Sequence, residues 1–175
     1  MNDQQGLVMI YTGDGKGKTT AAMGLILRAL GHDQRVLLVQ FMKGQPTGEV
    51  AALRRFLPQV EIWRSGREEF VNADNPDEQD VRLASETMQR VMNAVVAGEY
   101  DLVVLDELNV AVDYGLVREE LVLQLLSEKP ASVTLVLTGR GASEAVMRVA
   151  NLVSEVREVK HHWRQGIPAQ PGIEF

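Results

Sequence analysis

Cysteine is absent from this 175-residue chain, which excludes disulfides, thiolate-bound metals and thiol redox chemistry. Histidine is scarce. Two of the three are His161 and His162, and neighbours on an extended chain point to opposite faces, so a protein-held zinc ion is not expected. There is no excess of positive charge either: the formal net charge is -6, which argues against a general nucleic-acid or membrane surface. An anionic ligand must therefore be held by a local site rather than drawn in by the overall field. No apolar run approaches a membrane span, and the opening MNDQQG is too polar and short for a signal sequence. A cytoplasmic protein with no membrane or nucleic-acid partner is the expectation. Internal repeats and low-complexity segments are missing too, and the length suits one domain over residues 1–175 with a substantial core.

What the chain does have is concentrated near its start. Residues 7–11, LVMIY, have the length and β-branched content of a buried strand. Gly13, Gly15 and Gly17 follow, then Lys18 and Thr19, and then a run of helix formers with apolar residues at Ala22, Leu25, Ile26 and Leu30. Strand, glycine loop, Lys-Thr, helix is the P-loop order. Glycines let backbone N–H groups crowd a phosphate chain, and the helix start adds unpaired N–H groups and a positive dipole end. Lys18 supplies a point charge, and the Thr19 hydroxyl a ligand for Mg2+. The pattern departs from the common form in one place. Counting back from Gly17-Lys18-Thr19, the position usually held by the first glycine is Thr12; the glycine comes one residue later, at Gly13, and an extra cation, Lys16, sits inside the loop. A polyphosphate is still expected there, in a pose that need not be the usual one.

Downstream, strands are expected at residues 36–41, 60–63, 102–105, 133–137 and 153–159, with helices at 49–56, 78–97, 116–128 and 144–150. Gly31-His32 stops the first helix, and Pro58 and Pro130 close two others. Residues 64–77 form the least regular stretch, and a loop that long inside a compact domain is usually functional or disordered. The tail from Lys160 reads as irregular. Strands alternating with helices, each strand a nearly unbroken apolar run, argue an α/β fold: a single P-loop NTPase-like (RecA-like) domain whose mostly parallel sheet is covered by helices on both faces. Ligands in such sheets bind beyond the carboxyl ends of the strands, which gathers the glycine loop, Asp106-Glu107 and residues 138–141 on one edge.

Asp106-Glu107 ends an apolar strand, the usual setting of the acidic motif that reaches Mg2+ directly or through water in P-loop proteins. Alone, the pair would read as an acidic surface turn. With a P-loop in the same chain it reads as a metal site, and spacing does not decide which carboxylate ligates. Arg140, between two glycines at a strand end, either reaches ligand oxygens with its planar fork or is a solvated turn residue. Arg28, ten residues into the first helix, is more weakly indicated. Phe70 is an apolar residue in a polar loop, either tucked into the core or facing a ligand.

Taken together, GDGKGKTTAA, VVLDELNVA, LTGRG, VKHHW and the closing QPGIEF resemble the corrinoid adenosyltransferases of the P-loop type. The likeness runs from about Gly6 to Phe175. It implies that a Co(I) corrinoid (cobalamin, cobinamide or cobyrinic acid diamide) attacks the 5′ carbon of ATP and that the whole triphosphate leaves. It implies ATP lying across the loop in reversed orientation, contacted by Gly13, Asp14, Gly15, Lys16, Gly17, Lys18, Thr19 and Thr20, with Arg28 and Arg140 as further binding residues. Thr19 and Glu107 match the family's metal positions, with Asp106 beside them, for Mg2+ or Mn2+. Lys18, Glu107 and Phe70 are the expected catalytic residues, and no general base is needed because the nucleophile carries no proton. The family is commonly dimeric, so a homodimer is expected. With no thiol to store electrons, the chain needs an external reductant such as a reduced flavoprotein.

Two departures from the family pattern bear on the corrinoid. Some members carry an N-terminal helical extension over the active site; only Met1 to Gln5 precede the core here, so closure is expected from elsewhere. Enterobacterial members place a Phe and a Trp two residues apart in the loop corresponding to residues 64–77, where they displace the lower axial ligand of cobalt. Here that stretch reads GREEFVNADNP, with Phe70 its one aromatic.

Two other readings remain open on the residues alone. An ordinary P-loop ATPase or phosphotransferase would use the same loop to cut a P–O bond and would release ADP or phosphate rather than triphosphate. A non-catalytic nucleotide- or corrinoid-binding protein would not need Lys18, Thr19 and the acidic pair all intact.

Overall fold

The computed structural model describes residues 5–67, 69 and 71–175. Six parallel strands form one sheet in the order β3-β2-β4-β5-β1-β6. They are β1 (Val8–Thr12), β2 (Val36–Phe41), β3 (Glu61–Ser65), β4 (Leu102–Asp106), β5 (Thr134–Thr138) and β6 (Leu152–Glu155). Every residue of β2 and β4 is buried, as unbroken apolar runs in a doubly covered sheet require.

The strand period of two sorts the core into two layers. Leu37, Val39 and Phe41 of β2 face one side, where α3 (Glu78–Val96) brings Met88, Val91 and Val95, and α5 (Glu119–Glu128) brings Leu125. Val36 and Leu38 face the other, against Ala22 and Ile26 of α1 (Lys18–Leu30) and Leu53 of α2 (Gly48–Phe56). At about 1.5–3 kcal/mol for each large apolar side chain buried, these layers dominate the stability of the fold.

Three local differences from the sequence reading have physical causes. A six-residue helix, α4 (Leu108–Asp113), follows directly on the acidic pair; it is too short to show helical periodicity, and it begins after a left-handed turn at Glu107, φ 61°. The next helix consequently starts at Glu119 rather than residue 116, because the Leu116 and Val117 amides both donate to the Ala111 carbonyl (2.8 and 3.1 Å). At the sheet edge, α6 (Glu144–Val149) leads into β6, which stops at Glu155 although the alternating pattern continues to residue 159. Beyond it the Val156 carbonyl accepts from the Gly15 amide (2.7 Å), so the chain turns from the sheet onto the glycine loop. The tail is not wholly irregular: a 3-10 turn spans His162–Gln165.

Candidate active site

The glycine loop connects β1 to α1 at the carboxyl edge of the sheet. Thr12, at the position usually held by the loop's first glycine, is still a strand residue, with its Cα opposite Glu155 of β6. Gly13 then turns with φ 92°, and a Cβ there would lie 2.6 Å from the Val156 carbonyl oxygen. A Cβ on Gly15 would lie 2.7 Å from the Arg157 carbonyl carbon and oxygen. The displaced glycine thus has a local reason: the segment after β6 lies against the loop, and only residues without side chains admit it.

Lys18 opens α1 and folds back. Its Nζ donates to the Gly13 carbonyl at 2.6 Å and to the Gly15 carbonyl at 2.8 Å. Burial lowers its pKa below the ordinary lysine value; Glu107 opposes that shift and Arg140 adds to it. Glu107 and Arg140 thus lie near enough to Lys18 for their charges to act on it. Lys16, the extra cation, points the other way, donating to the Ile173 carbonyl at 2.5 Å and pairing with Glu174 at 3.7 Å. Glu174 also meets His162 Nε2 at 3.5 Å, so the tail is latched to the outer side of the loop.

Asp106 lies at the end of β4 with no exposure at all. Its Oδ1 accepts from the Thr19 hydroxyl (2.8 Å) and the Thr138 hydroxyl (2.7 Å); Oδ2 accepts from Lys43 Nζ (2.7 Å) and Gln40 Nε2 (3.2 Å). Thr138 in turn accepts from the Glu107 amide at 3.0 Å, fixing the left-handed turn that separates the two carboxylates. Burial, with Asp106 next door, raises the Glu107 pKa above the usual glutamate value, while Lys43, Lys18 and Arg140 pull it down. Thr19 and Asp106 are therefore hard oxygen donors already in contact, with Glu107 following. Such a donor set suits a cation that takes one or two protein oxygens and completes its shell with phosphate and water. Among the described residues no cluster of three or more His, Cys, Asp or Glu forms a self-sufficient metal site.

Gly13, Gly15, Gly17, Lys18, Thr19, Asp106, Glu107 and Arg140 are thus brought to one edge. Asp14 and Thr20 flank them with exposed side chains. Arg28 is not brought there: it is exposed in the last turn of α1, about 15 Å along the helix from Lys18. Phe70 lies outside the described residues. Two members of the site carry no motif. Lys43 stands in a Gly-Pro loop that reads as solvated, and Gln40 hides in the apolar run VLLVQF, where an amide at a buried strand end is the one available signal. An open groove of about 420 Å³ lined by Leu30, Arg35, Glu61 and Tyr100 contains none of the expected residues.

The model of the family described as ATP:corrinoid adenosyltransferase BtuR/CobO/CobP matches residues 4–175. The corrinoid adenosyltransferase of Pseudomonas aeruginosa is 38% identical, over 99% of this chain and 85% of its own length. That of Escherichia coli K12 is 37% identical, over 99% and 87%. Corrinoid adenosyltransferase CobA of Salmonella typhimurium is 36% identical over the same shares. A match of that extent, on a loop, acidic pair and arginine that meet at one sheet edge, means that the chain belongs to the ATP:corrinoid adenosyltransferase family.

Proposed function

We propose that the chain transfers the 5′-deoxyadenosyl group of ATP to the Co(I) centre of a corrinoid and releases triphosphate. The observation that carries this reading is a full-length family match on a chain whose Lys18, Thr19, Asp106, Glu107 and Arg140 stand around one loop. In the reaction the cobalt electron pair forms the Co–C5′ bond, and the C5′–O5′ pair leaves with the triphosphate. No proton moves in that step, so the protein's contribution is position and charge.

In this reading Lys18 gives up the Gly13 and Gly15 carbonyls and turns its ammonium to the triphosphate, and Arg140 adds a second cation from the turn after β5. Thr19, with Asp106 and Glu107, holds Mg2+ or Mn2+, which would supply further charge neutralisation of the leaving group when bound. The nucleotide contacts run from Gly13 to Thr20. The Lys16 latch favours an indirect role for that lysine, in holding the loop's outer side. Phe70 remains the candidate for the lower face of the corrin.

Two partners complete the reading. The cysteine-free chain takes its electron from an external reductant such as a reduced flavoprotein. A second copy covers the β6 edge, a pairing supported by the exposure of Leu152 (38%) and Val153 (41%) there, beside exposed Val149.

The test is direct: protein, Mg-ATP and chemically reduced cob(I)alamin are mixed, and the absorbance of the adenosylated corrinoid is followed while the released phosphates are identified. Triphosphate in step with adenosylcobalamin is the expected result. ADP or orthophosphate as the initial product would instead make this an ordinary P-loop ATPase or phosphotransferase.

A further inference from the structure

Asp106 is fully buried, and of its four hydrogen-bond donors only Lys43 carries a charge. A buried carboxylate needs such compensation. The backbone beneath Lys43 is held in place. Met42 is left-handed, with φ 59°, and a Cβ on Gly66 would lie 2.6 Å from the Lys43 nitrogen, so the two segments are in close contact. Arg64 also donates to the Gln45 carbonyl. The lysine side chain is different: a quarter of it is exposed, so its head can leave Oδ2 without moving the backbone. Beside it, the Gln40 Oε1 acceptor is buried with no hydrogen-bond partner, so the polar cluster around this ion pair is not closed on itself.

We propose that Lys43 is an internal counter-cation for Asp106, neutralising it in the nucleotide-free protein and yielding Oδ2 when a divalent cation arrives. The inference rests on the reading that Thr19 and the acidic pair hold that cation. Lysine and metal then compete for one carboxylate oxygen. The ion pair keeps the empty site folded and weakens metal binding in the absence of nucleotide. Triphosphate tips the competition twice, by adding ligands to the metal and by offering the displaced ammonium a new anionic partner.

Mn2+ binding, measured by the loss of the free-ion EPR signal without ATP, tests this in the wild type, Lys43→Met and Lys43→Gln. Lys43→Met is expected to bind Mn2+ about tenfold more tightly than wild type, the gain for removing one charge-assisted competitor. Lys43→Gln should fall between. Without metal, Lys43→Met should melt lower than wild type, and Mn2+ should restore most of the difference; a merely structural lysine would lower the melt with no metal-dependent recovery. Should Lys43→Met not fold, the intermediate Mn2+ affinity and metal recovery of Lys43→Gln carry the test. Unchanged or weaker Mn2+ affinity in the lysine variants, with Mn2+ still bound by wild type in the presence of ATP, overturns the proposal alone. If no protein binds Mn2+ even with ATP, the metal reading falls and the proposal with it.

Discussion

The glycine loop with its acidic pair and the loop after β3 are built by different means. Around the glycine loop three groups are fixed by buried or part-buried bonds: Asp106 by four donors, the loop by the Val156 carbonyl, Lys18 by two loop carbonyls. In the loop after β3, Gly66 lies against the Lys43 backbone, Val71 packs on the core, and Arg67 makes the charged contacts. Arg67 makes two hydrogen bonds to Asp80 of α3 (2.9 and 2.7 Å) and reaches Glu69 and Asp77, whose side chains are 76% and 54% exposed. A phosphate chain has one shape for its donors to match, and a rigid cradle serves it. Of the Arg67 contacts only those to Glu69 and Asp77 are screened by solvent; the Asp80 carboxylate is buried, so this loop hangs on one firm ion pair.

Removing Lys18 should break the comparison most severely. Lys18→Ala is expected to lower turnover by about 100- to 1,000-fold, the scale for deleting one preorganised charge from a transition state. The ligand-free melt should move little, because the two lost bonds are only part-buried and join residues of one short loop, while ATP should no longer raise it. Near-normal turnover would sink the role given to the loop. Gly15→Ala tests rigidity itself. Its new Cβ meets the Arg157 backbone, which has no side-chain freedom with which to yield, so a loss of about 1–3 kcal/mol in stability and a weaker ATP affinity are expected together. An unchanged melt would mean the brace is soft.

The two acidic neighbours should separate cleanly. Asp106→Asn leaves Lys43 facing an amide, and should cost about 3 kcal/mol; the quarter of Lys43 that is exposed keeps it at the lower end of the range. Glu107→Gln should leave the fold intact and weaken the metal dependence of turnover. It should also change the pH response. Because the folded pKa of Glu107 is raised by burial, the unfolded chain ionises first as pH rises. Metal-free wild-type protein should therefore lose stability from the ordinary glutamate value up to the raised one, and Glu107→Gln should show a flatter melting curve against pH across that window. The smallest effect on the nucleotide belongs to the loop after β3. On the proposed reading, Arg67→Ala should raise the corrinoid KM several-fold and leave the ATP KM nearly unchanged, and it should lower the melt, because it strips the buried Asp80 carboxylate of its partner. An equal rise in both constants would show that the two loops are mechanically joined.

Much of this was legible in the residues, and the illegible parts share a cause. The apolar runs of β2, β4 and β5 announce a covered parallel sheet, and the loop and acidic pair announce their places at its edge. What sequence could not give was set by neighbours distant along the chain. Thr19 bonds Asp106 across 87 residues of chain, and the chain turns left-handed at Glu107 directly after it. Lys43 reads as a solvated loop lysine until Gly66 is seen packed on its backbone. β6 stops early because Val156 is claimed by the glycine loop, a partner that no local alternation can reveal.

The strand order also sets a timetable. β1 lies between β5 and β6, so the earliest-made of these six strands has no sheet neighbour until residues 134–155 have been made. The loop after it waits longer still, since Lys16 meets a carbonyl 157 residues further along. At about 5–20 residues per second, that interval is on the order of ten seconds or more. Throughout it the apolar opening strand and its glycines are a nascent segment without a docking place, exposed to chaperones and proteases. The nucleotide cradle, encoded first, is among the last structures the growing chain can complete, so ATP can stabilise a finished molecule but has nothing to grip in a half-made one.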